Sequence, residues 1–207
     1  MFKWLAAAFL VVLISVGTAS GVRAQTFLDG GPGGGFSSFN GYMFDVTASQ
    51  NLTIVGLTHN ILPGPVRIWG RPGTHVGFET SSIGWTLLAT GATAGGGRQT
   101  LPAISVPLTA GSTYAFYIEA DQAVYYRGTA NPVGSVQASD AALSIRRGTG
   151  LQTAFNTPAQ PREMDGGVSY LLPPTPVPTL SEWAMILFAG LMATGAALYL
   201  QRRRSIG

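Results

Sequence analysis

Trp183 to Leu200 is a run of 18 residues without a charge, and Arg202, Arg203 and Arg204 follow it. At about 1.5 Å rise per residue, a helix of this length reaches roughly 27 Å, close to the thickness of a bilayer's hydrocarbon core. Gly190 and Gly195 would weaken a soluble helix, but membrane helices tolerate them. Trp183 and Tyr199 stand near the two ends, where amphipathic rings favour the membrane interface. The arginines hold their end in the cytoplasm by the positive-inside rule, which leaves Glu182 and the residues before it outside. A helix buried in a soluble core is the alternative; the flanking charge and the interfacial aromatics argue against it.

The other end carries a matching signal. Lys3 supplies a positive start, and Leu5 to Val16 is apolar apart from Ser15. Val22-Arg23-Ala24 offers a small-residue cleavage site before Gln25, with Thr18-Ala19-Ser20 as a second choice. Residues 1–24 therefore read as a secretory signal peptide and drop out of fold reasoning. A retained N-terminal anchor is the competing reading, for which the apolar stretch is short.

Without these ends the charge balance changes. The whole chain has 12 basic and 9 acidic residues, but residues 25–172 hold seven arginines, no lysine and eight carboxylates, close to −1. The basic pI of about 9.5 therefore comes from the targeting ends. No basic surface or motif points to nucleic acid. The chain has no cysteine, which excludes disulfides, thiol chemistry, cysteine-ligated zinc and a lipidated cysteine. The exported part must hold itself together by burial, and about 148 residues suffice for one core.

Short β-branched or aromatic runs separated by Gly, Pro, Asn and Thr predict an all-β fold, an antiparallel β-sandwich of eight or nine strands that could be a jelly roll. Residues 25–40, with Gly30-Gly31-Pro32-Gly33-Gly34-Gly35, read as a flexible leader, and 41–172 as the β domain. Strands are expected at Tyr42–Thr47, Leu52–Thr58, Val66–Arg71, Trp85–Thr90, Thr113–Glu119, Ala123–Arg127, Ala142–Arg147 and Gly167–Leu172. Leu101–Leu108 carries Pro102 and Pro107 and should be an edge strand or broken. Alternation nominates Phe44, Ile54, Ile68, Tyr114, Phe116, Ile118, Leu143 and Ile145 for the core. Residues 173–178 contain four prolines and read as an extended stalk.

The tail resembles the IPTL-CTERM class of bacterial sorting signals, relatives of PEP-CTERM signals. That pattern is Ile-Pro-Thr-Leu-x-x-Trp-Gly, a membrane helix and basic residues. Here Pro178, Thr179, Leu180 and Trp183 match, Val177 stands for the isoleucine and Ala184 for the glycine, and the whole signal spans 177–207. The resemblance implies export from a Gram-negative cell, removal of the leader by signal peptidase and reading of the tail by an exosortase-type transpeptidase. The protein would pass through the inner membrane and end at the cell surface or in the extracellular matrix. A plain single-pass anchor is the alternative. Leu172-Pro173-Pro174-Thr175-Pro176 approaches the sortase signal Leu-Pro-x-Thr-Gly, but Pro176 forms a tertiary amide where that signal has glycine, which argues against cleavage there. Met43 to Ala48, Leu108 to Tyr114 and Ser139 to Leu143 are similar to a domain found with such signals, and this likeness implies no activity.

No assembled catalytic motif is visible, and no cofactor is expected. Gly95-Gly96-Gly97-Arg98 lacks the lysine and hydroxyl of a phosphate loop. His59 and His75 stand beside loops and are expected to be solvent-exposed; with Glu79 they form the only cluster that could suggest zinc. A secreted carbohydrate-active hydrolase is the enzymatic alternative, with Glu119, Asp121 and Asp140 as its candidate carboxylates. The expected role is non-catalytic. The sharper form is glycan binding, for instance to exopolysaccharide, through Trp69 beside Arg67 and Arg71, and through Tyr125 beside Arg127, since aromatic rings next to hydrogen-bonding groups suit sugars. The competing reading has these rings cover a sheet edge or pack under a loop.

Overall fold

Tyr114, Phe116, Ile118 and Ala120 alternate with Thr113, Ala115, Tyr117 and Glu119, a period of two that an extended strand satisfies. In the computed structural model, which describes residues 24–31, 37–174 and 180–205, this run opens a 16-residue strand, β8 (Thr113–Gly128). The two strands expected here are one. The same alternation runs on through Val124 and Tyr126, which are buried with Phe116 and Ile118. The β strands lie in one compact unit and the C-terminal helix in another.

Among the described residues, twelve strands form two antiparallel sheets. The larger has the order β11 (Pro158–Met164), β10 (Leu143–Leu151), β2 (Ser37–Ala48), β8, β4 (Gly64–Pro72) and β5 (Thr86–Thr93), with β9 (Val136–Ser139) on β10. The smaller runs β1 (Gln25–Asp29), β12 (Gly166–Leu171), β3 (Leu52–Asn60) and β6 (Arg98–Thr100), with β7 (Val106–Leu108) also on β3. β11 pairs with the far end of β8 as well, Met164 opposite Tyr126, so β8, β2, β10 and β11 close on one another. The fold is an antiparallel β-sandwich.

The two inner faces meet in one apolar core. Phe44 stacks on Phe116 and on Tyr42, each at 5.7 Å between ring centres, and Tyr42 stacks on Tyr126 at 5.8 Å. Offset stacks of this kind add to the burial of the rings themselves. Phe44, Ile54, Ile68, Phe116, Ile118, Leu143 and Ile145 are fully buried, as the alternation required. Tyr114 is only partly buried and packs at the rim.

Several boundaries differ from the sequence reading. Gln25–Asp29, expected within a flexible leader, is β1, paired with Leu171–Gly167 and burying Leu28. Residues 32–36 of that leader lie outside the described residues, as do 1–23 of the signal peptide and 175–179 of the stalk and motif. β2 begins at Ser37 rather than Tyr42. Of Leu101–Leu108 only Val106–Leu108 is strand. β6, β9 and β11 were not expected. Pro158 and Pro161 disguise β11, yet Pro161 falls where the β10–β11 register shifts, so its missing N–H removes no regular ladder bond.

The helix α1 (Leu180–Arg204) has 25 residues, and its segment Trp183–Arg202 has a mean hydropathy of 1.8 with its residues exposed. Thr194 Oγ1 donates to the Gly190 carbonyl at 2.8 Å, so the hydroxyl of this apolar helix is satisfied within it.

Truncating Phe116 to alanine should cost on the order of 3–5 kcal/mol, since the ring is fully buried in an aromatic stack. Urea denaturation of the purified protein measures this, and a loss below about 1 kcal/mol would place the ring outside the core.

Candidate functional site

The outer face of the larger sheet is not left open to water. The β4–β5 connection, residues 73–85, and the β10–β11 connection, residues 152–157, supply Trp85 and Phe155 to a second small core with Met43, Ala115, Tyr117 and Leu151. Phe155 sits at φ 49°, unusual for a bulky residue, and its ring lies 5.1 Å from Tyr117, 5.6 Å from Trp69 and 6.1 Å from Trp85. Aromatic packing holds the backbone in that conformation.

Trp69 belongs to this second core. Its ring meets Phe155 edge-on, and its Nε1 donates to Glu119 Oε2 at 2.7 Å. Arg67 pairs with Glu119 and with Asp121, each at 3.0 Å. The Arg71 guanidinium lies 3.2 Å from the ring centre of Phe78, and its Nε and Nη1 are buried without a partner among the described residues. Trp69, Arg67 and Arg71 therefore face the same way, as alternation required, but Trp69 packs under a loop. Tyr125 is elsewhere. Trp69 pairs with Tyr117, eight residues before Tyr125 on β8, which is roughly 26 Å along a straight strand. The two aromatic groups do not form one site.

Tyr125 instead shares the outer side of β8 with Arg127. The Arg127 guanidinium bonds Glu163, through Nε at 3.0 Å and through Nη2, and Arg147 Nε donates to the other Glu163 oxygen at 2.8 Å. Burial pushes the Glu163 carboxyl up, but the two guanidiniums overcome this and hold it below its usual range. Arg127, Arg147 and Glu163 line a pocket of about 220 Å³ with Gly30, Gly31, Gln137 and Met164. Gln137 forms a fixed wall, donating to the Gly30 and Met164 carbonyls and accepting from the Met164 N–H. Two arginines share one carboxylate here, so the pocket keeps a positive excess. Arg147 and Glu163 could not be paired from sequence, because the unrecognised strand β11 carries the glutamate.

Both histidines correct the sequence reading: each is fully buried. His59 lies in the inter-sheet core, its ring 5.4 Å from Tyr42. Its Nδ1 is 3.1 Å from the Asn60 carbonyl, and Nε2 has no partner among the described residues. Desolvation pushes its pKa down to about 4, which keeps the ring neutral. His75 lies on the opposite side of β2. Its Nδ1 is 2.7 Å from Asp45 Oδ1 and its Nε2 3.2 Å from Thr149 Oγ1. Asp45 also accepts from the Thr74 hydroxyl at 2.6 Å and the His75 N–H at 2.9 Å. Burial raises the Asp45 carboxyl, and these donors bring it below its ordinary value. His59, His75 and Glu79 are not brought together, and no group of three or more potential metal-ligating His, Cys, Asp or Glu side chains forms among the described residues. The sequence could not pair His75, because Asp45 and Thr149 come from distant strands, and it could not show the burial of His59, which the packing of the sheets produces.

At the tail, Val177, Pro178 and Thr179 lie outside the described residues. Leu180 opens α1, Trp183 is exposed on its first turns, and Arg202, Arg203 and Arg204 end it. Residues 175–204 match the family model described as the IPTL-CTERM motif. The chain carries an IPTL-CTERM sorting signal. The match covers the motif, the apolar helix and the arginines in that order, and it marks an exported or surface protein. No curated protein matches the chain.

His59 makes stability depend on pH. Its folded pKa lies below the ordinary value of 6.5, so the unfolded chain binds the proton first and stability falls as pH drops from about 6.5 towards 4. The contribution lost is about 3 kcal/mol. Chemical denaturation at pH 7 and pH 4 should show this drop, and His59→Gln should remove that part of it. An unchanged pH slope in the variant would mean that His59 is not the titrating group.

Proposed function

We propose that the protein is a non-catalytic component of the cell surface or extracellular matrix, trimmed by signal peptidase at its start and processed through its IPTL-CTERM tail by an exosortase-type transpeptidase. The family match over residues 175–204 carries this reading. The near-neutral β domain and the apolar helix ending in arginines support it. If processing occurs, the mature protein lacks Ala184 to Gly207. Terminal-peptide mass spectrometry of the surface fraction decides; an intact C-terminus at Gly207 would favour a plain membrane anchor.

Within this role, the domain binds matrix polysaccharide at the Arg127–Arg147 pocket. Tyr125 lies two residues from Arg127 on the same side of β8, so its ring can stack on a sugar whose hydroxyl or carboxylate groups meet the guanidiniums. Trp69 serves the fold instead, because Glu119 and Phe155 already occupy it. Retention of the exported protein on the producer's exopolysaccharide should fall roughly tenfold in Tyr125→Ala or Arg127→Ala. Binding that survives both substitutions would rule out this pocket, and turnover of a glycoside substrate would replace the binding reading altogether.

A further inference from the structure

Asp45, His75 and Thr149 form a hydrogen-bonded relay that ends on a hydroxyl. The Asp45 carboxylate can only accept, so the proton on His75 sits on Nδ1 and the Nε2 lone pair faces Thr149 Oγ1 at 3.2 Å. This is the tautomer a general base needs. Yet His75 and Thr149 are completely buried, so no dissolved substrate reaches the hydroxyl. An electrophile for it must come from the protein.

The pairing of β10 with β11 supplies one. Gly148 pairs with Arg162 and Gly150 with Ala159, which leaves Thr149 opposite Gln160 and Pro161. Gln160 Nε2 donates to Glu79 Oε1 at 2.9 Å, and the Gly77 N–H holds the other Glu79 oxygen at 2.7 Å. His75 and Glu79 belong to the same 73–85 segment. That segment sets a base on the buried threonine and a carboxylate on the amide of the facing, exposed glutamine.

We propose that Thr149 and Gln160 join in an intramolecular ester. Thr149 Oγ1 attacks Gln160 Cδ while His75 Nε2 takes the hydroxyl proton. The tetrahedral centre collapses with cleavage of the Cδ–Nε2 bond, His75 returns the proton to the departing nitrogen, and ammonia leaves. A C–O bond replaces a C–N bond, nothing is oxidised or reduced, and no co-reactant is needed. Glu79 orients the amide and steadies the leaving nitrogen. The product ties β10 to β11 covalently in an exported domain that has no cysteine for a disulfide.

Mass spectrometry of the full-length exported protein tests this. Trypsin cuts after Arg147 and Arg162 and releases one peptide, residues 148–162, that holds both groups. It should be lighter than its sequence by one ammonia, about 17 Da. Cleavage after Phe155 should leave two fragments still joined, and hydroxylamine should separate them. Thr149→Ser should keep the link. Thr149→Ala and Gln160→Glu should each restore the sequence mass, and Gln160 is exposed enough for its variant to fold even where changes at Thr149 do not. A wild-type peptide at its full sequence mass overturns the proposal and leaves the relay as a non-covalent lock on the 73–85 loop. A link that persists in Gln160→Glu, or that maps to Gln152, overturns it equally.

Discussion

The pairing of β2 with β8 is the constraint on which the rest of the domain depends. Phe44 stands opposite Phe116 and Asp45 opposite Ala115, so neighbouring residues of one strand serve two different interiors. Tyr42, Phe44 and Val46 face the inter-sheet core; Met43 and Asp45 face the outer side, where the loops close over them. A slip of one residue would drive Asp45 into the apolar core and turn Phe44 out. Glycine permits close contacts in this arrangement. A Cβ at Gly41 would meet the Tyr117 ring at 2.5 Å, and one at Gly150 would meet the Tyr126 ring at 2.4 Å.

A cysteine-free domain has to secure its loops by other means. Here buried carboxylates do so, each with its partners supplied. Asp45 binds the 73–85 loop through Thr74 and His75, and Glu79 ties that loop to Gln160 on β11. At the far end Asn60 and Arg98 bond Asp165 at 2.7 Å each, linking β3 and β6 to the start of β12. Leaving any of these carboxylates unpaired would cost more than the bond itself contributes, because the group would stay buried. The same low-dielectric setting that makes the Asp45–His75 contact strong shields the Thr149 hydroxyl from water.

Much of the fold was legible because strands with one buried face advertise themselves by alternation. The runs around Phe44, Ile68 and Phe116 needed nothing beyond a period of two. β11 was not legible: Pro158 and Pro161 carry the signature of a loop, although Pro158 only opens the strand opposite Leu151 and Pro161 falls at a register shift. β1 was hidden by the glycines that follow it. The tail could be read almost residue by residue, because length, apolarity and flanking charge act locally. The sites could not. Arg127, Arg147 and Glu163 come from three strands, and Asp45, Thr149 and His75 from two strands and a loop, and no spacing in the chain announces either set. Trp69 was placed on the correct side of its strand, but alternation cannot tell an open face from one that a distant loop covers.

Delivery of the β domain to the outside by its two terminal signals is the claim on which the functional reading rests. Protease added to intact spheroplasts tests it most directly, with an antibody against the domain as the readout. The expected result is digestion of the domain while cytoplasmic markers stay intact. Full protection of the domain until the membrane is broken would contradict it.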